Sequence, residues 1–275
     1  NPAIINAFSQ ATGWKATDLS ITQGNVILNV EDYGGAFIKE RLQQGMEVLR
    51  QVLPADTNFI QIQVSRYGEP VGVFNIDPDT WSQQYLQLPP PSQRIDHPLT
   101  ITTAVPTYPA LNTQVVSHTE LPKGSIRFTP SLQQSIGGPD GYLFGIFANA
   151  NADYELWTGS WLDGTAQVRV VDNYDNYSYV ADSNLPRVRT NFGEYMTTSR
   201  LLMPNLQWNQ FKSFGNNLYG LAYAGYLDPM FAGVGAEILY RKPNQPWAVG
   251  VDLNRVRQRD FDQHFGLQDY EATTG

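Results

Sequence analysis

The chain contains no cysteine. A disulfide framework, a zinc–thiolate centre and a cysteine nucleophile are therefore all excluded. Histidine is scarce: His97, His118 and His264 are the only three, and none has a partner at metal-ligand or triad spacing. No Gly-x-Ser-x-Gly elbow, phosphate-binding loop or dinucleotide fingerprint is present. The sequence thus points to no metal and no cofactor. Positive charge is also in deficit, with 18 Lys and Arg against 26 Asp and Glu, a net charge of −8 and a pI near 4.8. A nucleic-acid partner, which needs a basic face, is not expected. No stretch approaches the roughly 18 apolar residues of a membrane-spanning helix. That excludes a helical membrane protein and leaves a membrane β-barrel open, because barrel strands alternate and give a weak hydropathy signal. No signal peptide opens the chain, and its first residues, NPAIINAFSQ, read as the interior of a longer protein.

What is present falls into two patterns. Residues 1–86 mix helical and strand periods. Asn25 to Glu31 alternates as a strand, and Gly35 to Pro54 carries a helical stripe of Ile38, Leu42, Met46, Leu49 and Leu53. Two strands around a turn at Tyr67–Pro70 follow, then a short helix. The order α-β-α-β-β-α predicts a small two-layer α/β domain. Residues 87–124, rich in proline, threonine and serine, read as an extended linker.

From Ser125 onward period two takes over. Tyr142 to Leu156 sets Ile146, Ala148, Ala150, Ala152 and Tyr154 on one face, and Gly145, Asn149, Asn151, Asp153 and Glu155 on the other. Leu143 and Phe147 are exceptions on the polar face. In Ala232 to Arg241 the row Ala232, Val234, Ala236, Ile238 and Tyr240 opposes Gly233, Gly235 and Glu237. Long strands of this kind suit a tilted membrane crossing of roughly 9–11 residues. Tyr142, Trp157, Tyr240 and Trp247 sit at strand ends, like an interfacial girdle.

The expected fold class is α+β: the α/β domain followed by an antiparallel, outer-membrane-type β-barrel over residues 125–275. Seven strands, with an eighth starting near Thr273, leave that barrel incomplete, so further strands are expected from elsewhere. The two longest connections, Asp172–Arg189 and Gln258–Thr273, fall on the side away from the α/β domain. Outer-membrane barrels have short periplasmic turns and longer outer loops, so the α/β domain is expected in the periplasm.

The polar row supplies the candidate lumen residues Arg127, Asp153, Glu155, Arg169, Glu237, Asp252 and Asn254. The tyrosines Tyr174, Tyr177 and Tyr179 could stack on sugar rings. Arg255, Arg257 and Arg259 could reach polymer or lipopolysaccharide phosphates through charge-assisted bonds.

The stretches PSLQQSIGGPDGYLF, NLPRVRTNFGEYMTTSR, YAGYLDPMFAGVGAEILYR and WAVGVDLNRVRQRDFDQHFGLQDY resemble the YjbH family, outer-membrane proteins that include GfcD-like members of group 4 capsule loci. The resemblance is strong over Ser125 to Gly275 and loose over residues 1–86. It implies a non-enzymatic part in exopolysaccharide secretion or assembly, within a lipoprotein family. The implied partners are the exopolysaccharide, other polymer-export proteins and outer-membrane lipid. It supplies no catalytic residues. Two alternatives fit the residues alone. One is an outer-membrane polysaccharide-modifying enzyme using lumenal carboxylates; the other is a soluble β-sandwich carbohydrate-binding module.

Overall fold

The computed structural model describes residues 2–22, 24–34, 38–53, 57–85, 99–102, 114–136, 141–178, 189, 192–242 and 245–275. It divides into two compact units. One comprises Asn1–Pro122, Lys212–Tyr219 and Tyr240–Val249; the other comprises Lys123–Phe211, Gly220–Leu239 and Gly250–Gly275.

The first unit is a two-layer α/β domain. Helix α1 (Pro2–Thr12) leads into β1 (Lys15–Thr22) and β2 (Asn25–Glu31), an antiparallel pair. Helix α2 (Ile38–Val52) crosses over to β3 (Phe59–Arg66), which lies parallel to β2, and β4 (Glu69–Ile76) returns antiparallel before α3 (Pro78–Tyr85). A helical crossover is what a parallel pair requires, because its strands cannot be joined by a tight turn. The alternating apolar residues of β2 and β3 (Val26, Leu28, Val30; Ile60, Ile62, Val64) are buried against Leu42, Met46 and Leu49 of α2 and Ile5 and Phe8 of α1. Ile38, expected in the helical stripe, is exposed at the start of α2. Gly45 is where the two helices meet: a Cβ there would lie 2.6 Å from the Phe8 ring and 2.9 Å from Thr12 Cγ2. Glu69, buried at the start of β4, receives the Lys212 ammonium at 2.7 Å and the Ser213 amide at 3.1 Å.

Two features depart from the sequence reading. Strand β1 was missed. The stretch read as a linker contributes β5 (Leu99–Thr102), paired with β4, and β6 (Gln114–His118), paired with β1. The sheet order is β5-β4-β3-β2-β1-β6, so the domain continues to Pro122. Both added strands cover sheet edges, where unpaired backbone groups need partners. They are too short to show a period.

The second unit is one antiparallel sheet of eight strands in strict sequence order: β7 (Gly124–Ile136), β8 (Tyr142–Trp157), β9 (Ser160–Asp172), β10 (Leu201–Gly215), β11 (Leu218–Tyr226), β12 (Phe231–Tyr240), β13 (Val249–Arg259) and β14 (Leu267–Thr274). Among the described residues it is an open sheet, with β7 and β14 as its edges and no closed barrel. The eighth strand begins at Leu267, earlier than expected, so the connection after β13 spans only residues 260–266 and is not a long loop. A short helix, α4 (Phe192–Thr197), also stands where only strands and loops were expected.

The two faces of this sheet differ sharply. One exposes large apolar side chains along its whole width: Phe128 is 80% exposed, Val168 47%, Val234 58%, Ile238 56% and Val251 62%. The other carries the polar row and is partly covered.

Candidate functional site

The polar face of β7–β10 is built from amides and hydroxyls. Strand register sets Thr129, Asn149 and Gln167 side by side, then Asn151, Thr165 and Asn205, then Ser125, Asp153, Asp163 and Gln207. These rows are cross-linked. Gln167 Nε2 donates to Asn149 Oδ1 at 2.8 Å, and Asn149 Nδ2 donates to Ser131 Oγ at 2.9 Å and the Thr129 carbonyl at 3.0 Å. Thr165 donates to Asn151 Oδ1 at 3.1 Å, and Asn151 donates to Thr129 Oγ1 at 3.1 Å. Asp163 is the hub of the lower rows. Its carboxylate accepts from Trp161 Nε1 at 3.1 Å, Asn205 Nδ2 at 3.0 Å and Asn209 Nδ2 at 2.7 Å. Cross-strand side-chain pairs of this kind stabilise a sheet and fix its register.

The ladder ends at a cap on the same face. The 3-10 turn Tyr174–Asn176 and α4 fold onto it. Met196, Tyr174 and the half-buried Tyr177 pack on Leu143, Phe147 and Leu202, and Tyr195 packs with Met230, Phe231, Val256, Phe261 and Tyr270. Leu143 and Phe147, the apolar exceptions on the polar row, are thereby explained: they are the floor on which the cap sits. Arg169 holds the cap from below, donating to the Met196 carbonyl and pairing with Asp172 at 3.3 Å. A cation at the carbonyl end of a helix is favourable.

A second polar group lies on β11, β13 and β14. Tyr223 donates to both oxygens of Asp252, at 2.9 and 3.1 Å, Asn254 donates to Asp252 at 2.9 Å, and Thr274 donates to Asn254 at 2.7 Å.

The expected lumen residues are distributed as follows. Asp153 accepts from Ser125 Oγ at 2.5 Å. Arg127 is exposed on the edge strand β7, and Glu155 lies on β8 opposite Trp161. Glu237 is half-buried on β12. Arg169 is occupied by the cap, and Asp252 and Asn254 bind each other.

The outer-loop reading needs correction. Tyr174 is buried in the cap cluster, not projecting into solvent, and its hydroxyl has no hydrogen-bond partner among the described residues. Tyr177 covers Gly193 of α4. Tyr179 lies outside the described residues. The three arginines also part company. Arg255 and Arg257 pair with Glu271 at 2.8 Å and Asp269 at 3.4 Å. Arg259 has the parity of the exposed row but is fully buried, enclosed by the start of β10, the turn after β11 and the segment after β13. It donates to the carbonyls of Met203, Pro204, Asp228, Gln263 and His264 at 2.6–3.1 Å, and Tyr226 covers its guanidinium at 4.8 Å.

The amides Asn149, Asn151, Gln167, Asn205 and Asn209, and the hub Asp163, were not picked out from the sequence. The signal was available in the alternation Asn149–Asn151–Asp153. Among the described residues there is no group of three or more metal-ligating side chains and no helix long and apolar enough to cross a membrane.

A family model described as exopolysaccharide biosynthesis protein YbjH matches residues 1–275. Over 153 residues the chain is 40% identical to a protein of Escherichia coli (strain K12) named uncharacterized lipoprotein YjbH; the match covers 53% of this chain and 22% of that protein. The chain thus matches about a fifth of that relative's length. No solved structure matches it.

Proposed function

The chain belongs to the YjbH family of exopolysaccharide biosynthesis proteins, and from that membership we propose that it forms part of an outer-membrane wall for polymer secretion or assembly. The observation that carries this reading is the two-faced sheet. Apolar surface costs roughly 25 cal/mol per Å² in water, and soluble proteins rarely expose apolar patches beyond a few hundred Å². A lipid bilayer removes that cost. Open edges are not viable in lipid, so β7 and β14 pair in the membrane with further strands of a closed barrel. Exposed aromatic residues at strand ends, Tyr142, Trp157, Tyr240 and Trp247, suit the interfacial belts of such a barrel.

In this reading the α/β domain is periplasmic and the cap end of the sheet faces outward. The two-residue turns at 158–159 and 216–217 and the long connection 173–200 on the opposite side support that assignment, as periplasmic turns are short; the connection 241–248, on the same side as the two short turns, is longer. The lipoprotein name of the Escherichia coli relative fits an envelope location. The role is non-enzymatic: Asp163 and Asp252, the most heavily hydrogen-bonded carboxylates of the polar face, are each bound by neutral donors and serve as hydrogen-bond hubs.

The absence of cysteine makes the test clean. In intact cells, Ser178→Cys on the cap side is expected to react with a membrane-impermeant maleimide, and Thr158→Cys only after the outer membrane is opened. Equal labelling of both, or recovery of the protein in the aqueous phase without detergent, would remove the outer-membrane reading.

A further inference from the structure

We propose that the open part of the amide ladder, centred on Asn151, Thr165, Asn205 and Gln207, is a binding track for an uncharged, hydroxyl-rich glycan chain. This rests on the exopolysaccharide reading above and names the class of polymer.

The chemistry of the track matches sugar hydroxyls. Amide and hydroxyl side chains offer donors and acceptors together, as each sugar hydroxyl does. The network leaves capacity unused. Asn205 donates to Asp163 and Gln207 donates to Asn209, while among the described residues neither Asn205 Oδ1 nor Gln207 Oε1 accepts a bond. Both side chains are only half-buried. By contrast Asn149, Gln167 and Asn209 are buried and hold the framework.

Charge separates the polymer classes. A polyuronate or a phosphorylated chain needs cations, ideally arginine forks. Arg169 is committed to Asp172 and the Met196 carbonyl. Arg127, exposed on the edge strand, pairs in register with Asn151 and so stands at the end of the central row. Against that one arginine the same face carries Asp153, Glu155 and Asp163, and the whole chain has a net charge of −8, so a polyanion is repelled. Among the described residues of this face a polyamine meets only Glu155 uncommitted, because Asp163 already accepts three N–H groups and Asp153 takes the Ser125 hydroxyl. The repeat suits a chain: equivalent side chains recur about every 6.6–6.8 Å along a strand and about 4.8 Å across strands, so successive sugars meet equivalent groups.

The test uses the full-length protein in detergent at physiological salt, with dextran, pullulan and galactomannan as neutral probes, alginate as polyanion and partially deacetylated chitosan as polycation. Binding of at least one neutral chain in preference to alginate and chitosan is expected. The double variant Asn205→Ala/Gln207→Ala is expected to lose about tenfold in affinity, the size of one or two net hydrogen bonds. Thr165→Lys gives an independent handle and is expected to move preference toward alginate. The track is overturned if wild type binds no neutral chain, if it prefers alginate or chitosan, or if the folded double variant and the lysine variant both bind as wild type does. Cysteine labelling of the same preparation separates the two readings. Outer-membrane labelling with no neutral-glycan binding removes the track alone; glycan binding without that labelling removes the membrane wall alone.

Discussion

Tyr223 and Asp252 are joined across an intervening strand: the phenol donates to both carboxylate oxygens, and its ring passes over Gly235 of β12. Any side chain at Gly235 would occupy the space of that ring. The glycine is thus a slot that lets β11 reach β13. Gly235→Ala is expected to displace the ring and destabilise the sheet by about 1–3 kcal/mol, the usual cost of overpacking. Tyr223→Phe, which keeps the ring and removes the bonds, is expected to cost about 1.5 kcal/mol. Urea titration of the detergent-solubilised protein measures both; a Gly235→Ala variant as stable as wild type would contradict the slot.

The same logic applies between α1 and α2. Gly45→Ala drives a methyl toward Phe8 and Thr12. A loss of about 1–3 kcal/mol is expected, although alanine is the better helix former by about 1 kcal/mol. Faster amide exchange in α1 than in wild type would be the direct sign of the displaced helix.

Tyr174→Phe should behave in the opposite way. Its hydroxyl is buried without a partner, and a buried unsatisfied polar group costs about 1–3 kcal/mol. Phenylalanine is expected to leave the cap at least as stable as before. A marked loss in thermal stability would contradict this account of the hydroxyl.

The α/β domain carries a pH-dependent clasp. Asp18 Oδ1 lies 2.5 Å from His118 Nδ1, tying β6 to β1. The hydrogen bond to Asp18, and then its charge, raise the His118 pKa above the ordinary value of 6.5. For Asp18, burial opposes the charged form, but hydrogen bonds from His118, Thr17 and Asn29 and the imidazolium charge outweigh it, and the pKa falls below 3.8. The stabilisation due to His118 is complete below pH 6.5 and is lost as pH rises through its raised folded pKa. That due to Asp18 is present above pH 3.8 and is lost as pH falls through its lowered folded pKa. An NMR titration of the His118 ring should show a midpoint above 6.5, returning toward 6.5 in Asp18→Asn. A wild-type midpoint at or below 6.5 would refute the clasp.

Much of this architecture was legible in the sequence because strands announce themselves by period two. Val234, Ala236 and Ile238 alternate with Gly233, Gly235 and Glu237, and the structure puts the two sets on opposite faces. The α2 stripe was equally readable through Leu42, Met46 and Leu49. What escaped notice was short or tertiary. Leu99–Thr102 and Gln114–His118 are too brief for a pattern, and α4 has barely more than one turn. Arg259 has the parity of an exposed residue, and segments distant in sequence, at 203–204, 228 and 263–264, bury it. The amide ladder is visible in the sequence as polarity but not as a site, because Asn149, Gln167, Thr165 and Asn205 come together only through cross-strand register.

Arg259 has a practical consequence for anyone altering this protein. Its guanidinium holds carbonyls from the start of β10, from the turn after β11 and from the segment after β13, and its own carbonyl receives the Tyr195 hydroxyl of α4. Those segments are therefore not independent ports for epitope tags, affinity handles or loop grafts. An insertion at 227–230 is felt at 260–266, and a graft into either must preserve the geometry of both. The two-residue turns at 158–159 and 216–217 are tied more lightly, by single backbone bonds from Phe211 to Gly159 and from Arg241 to Asn217, so a graft at one of them is not felt at the other.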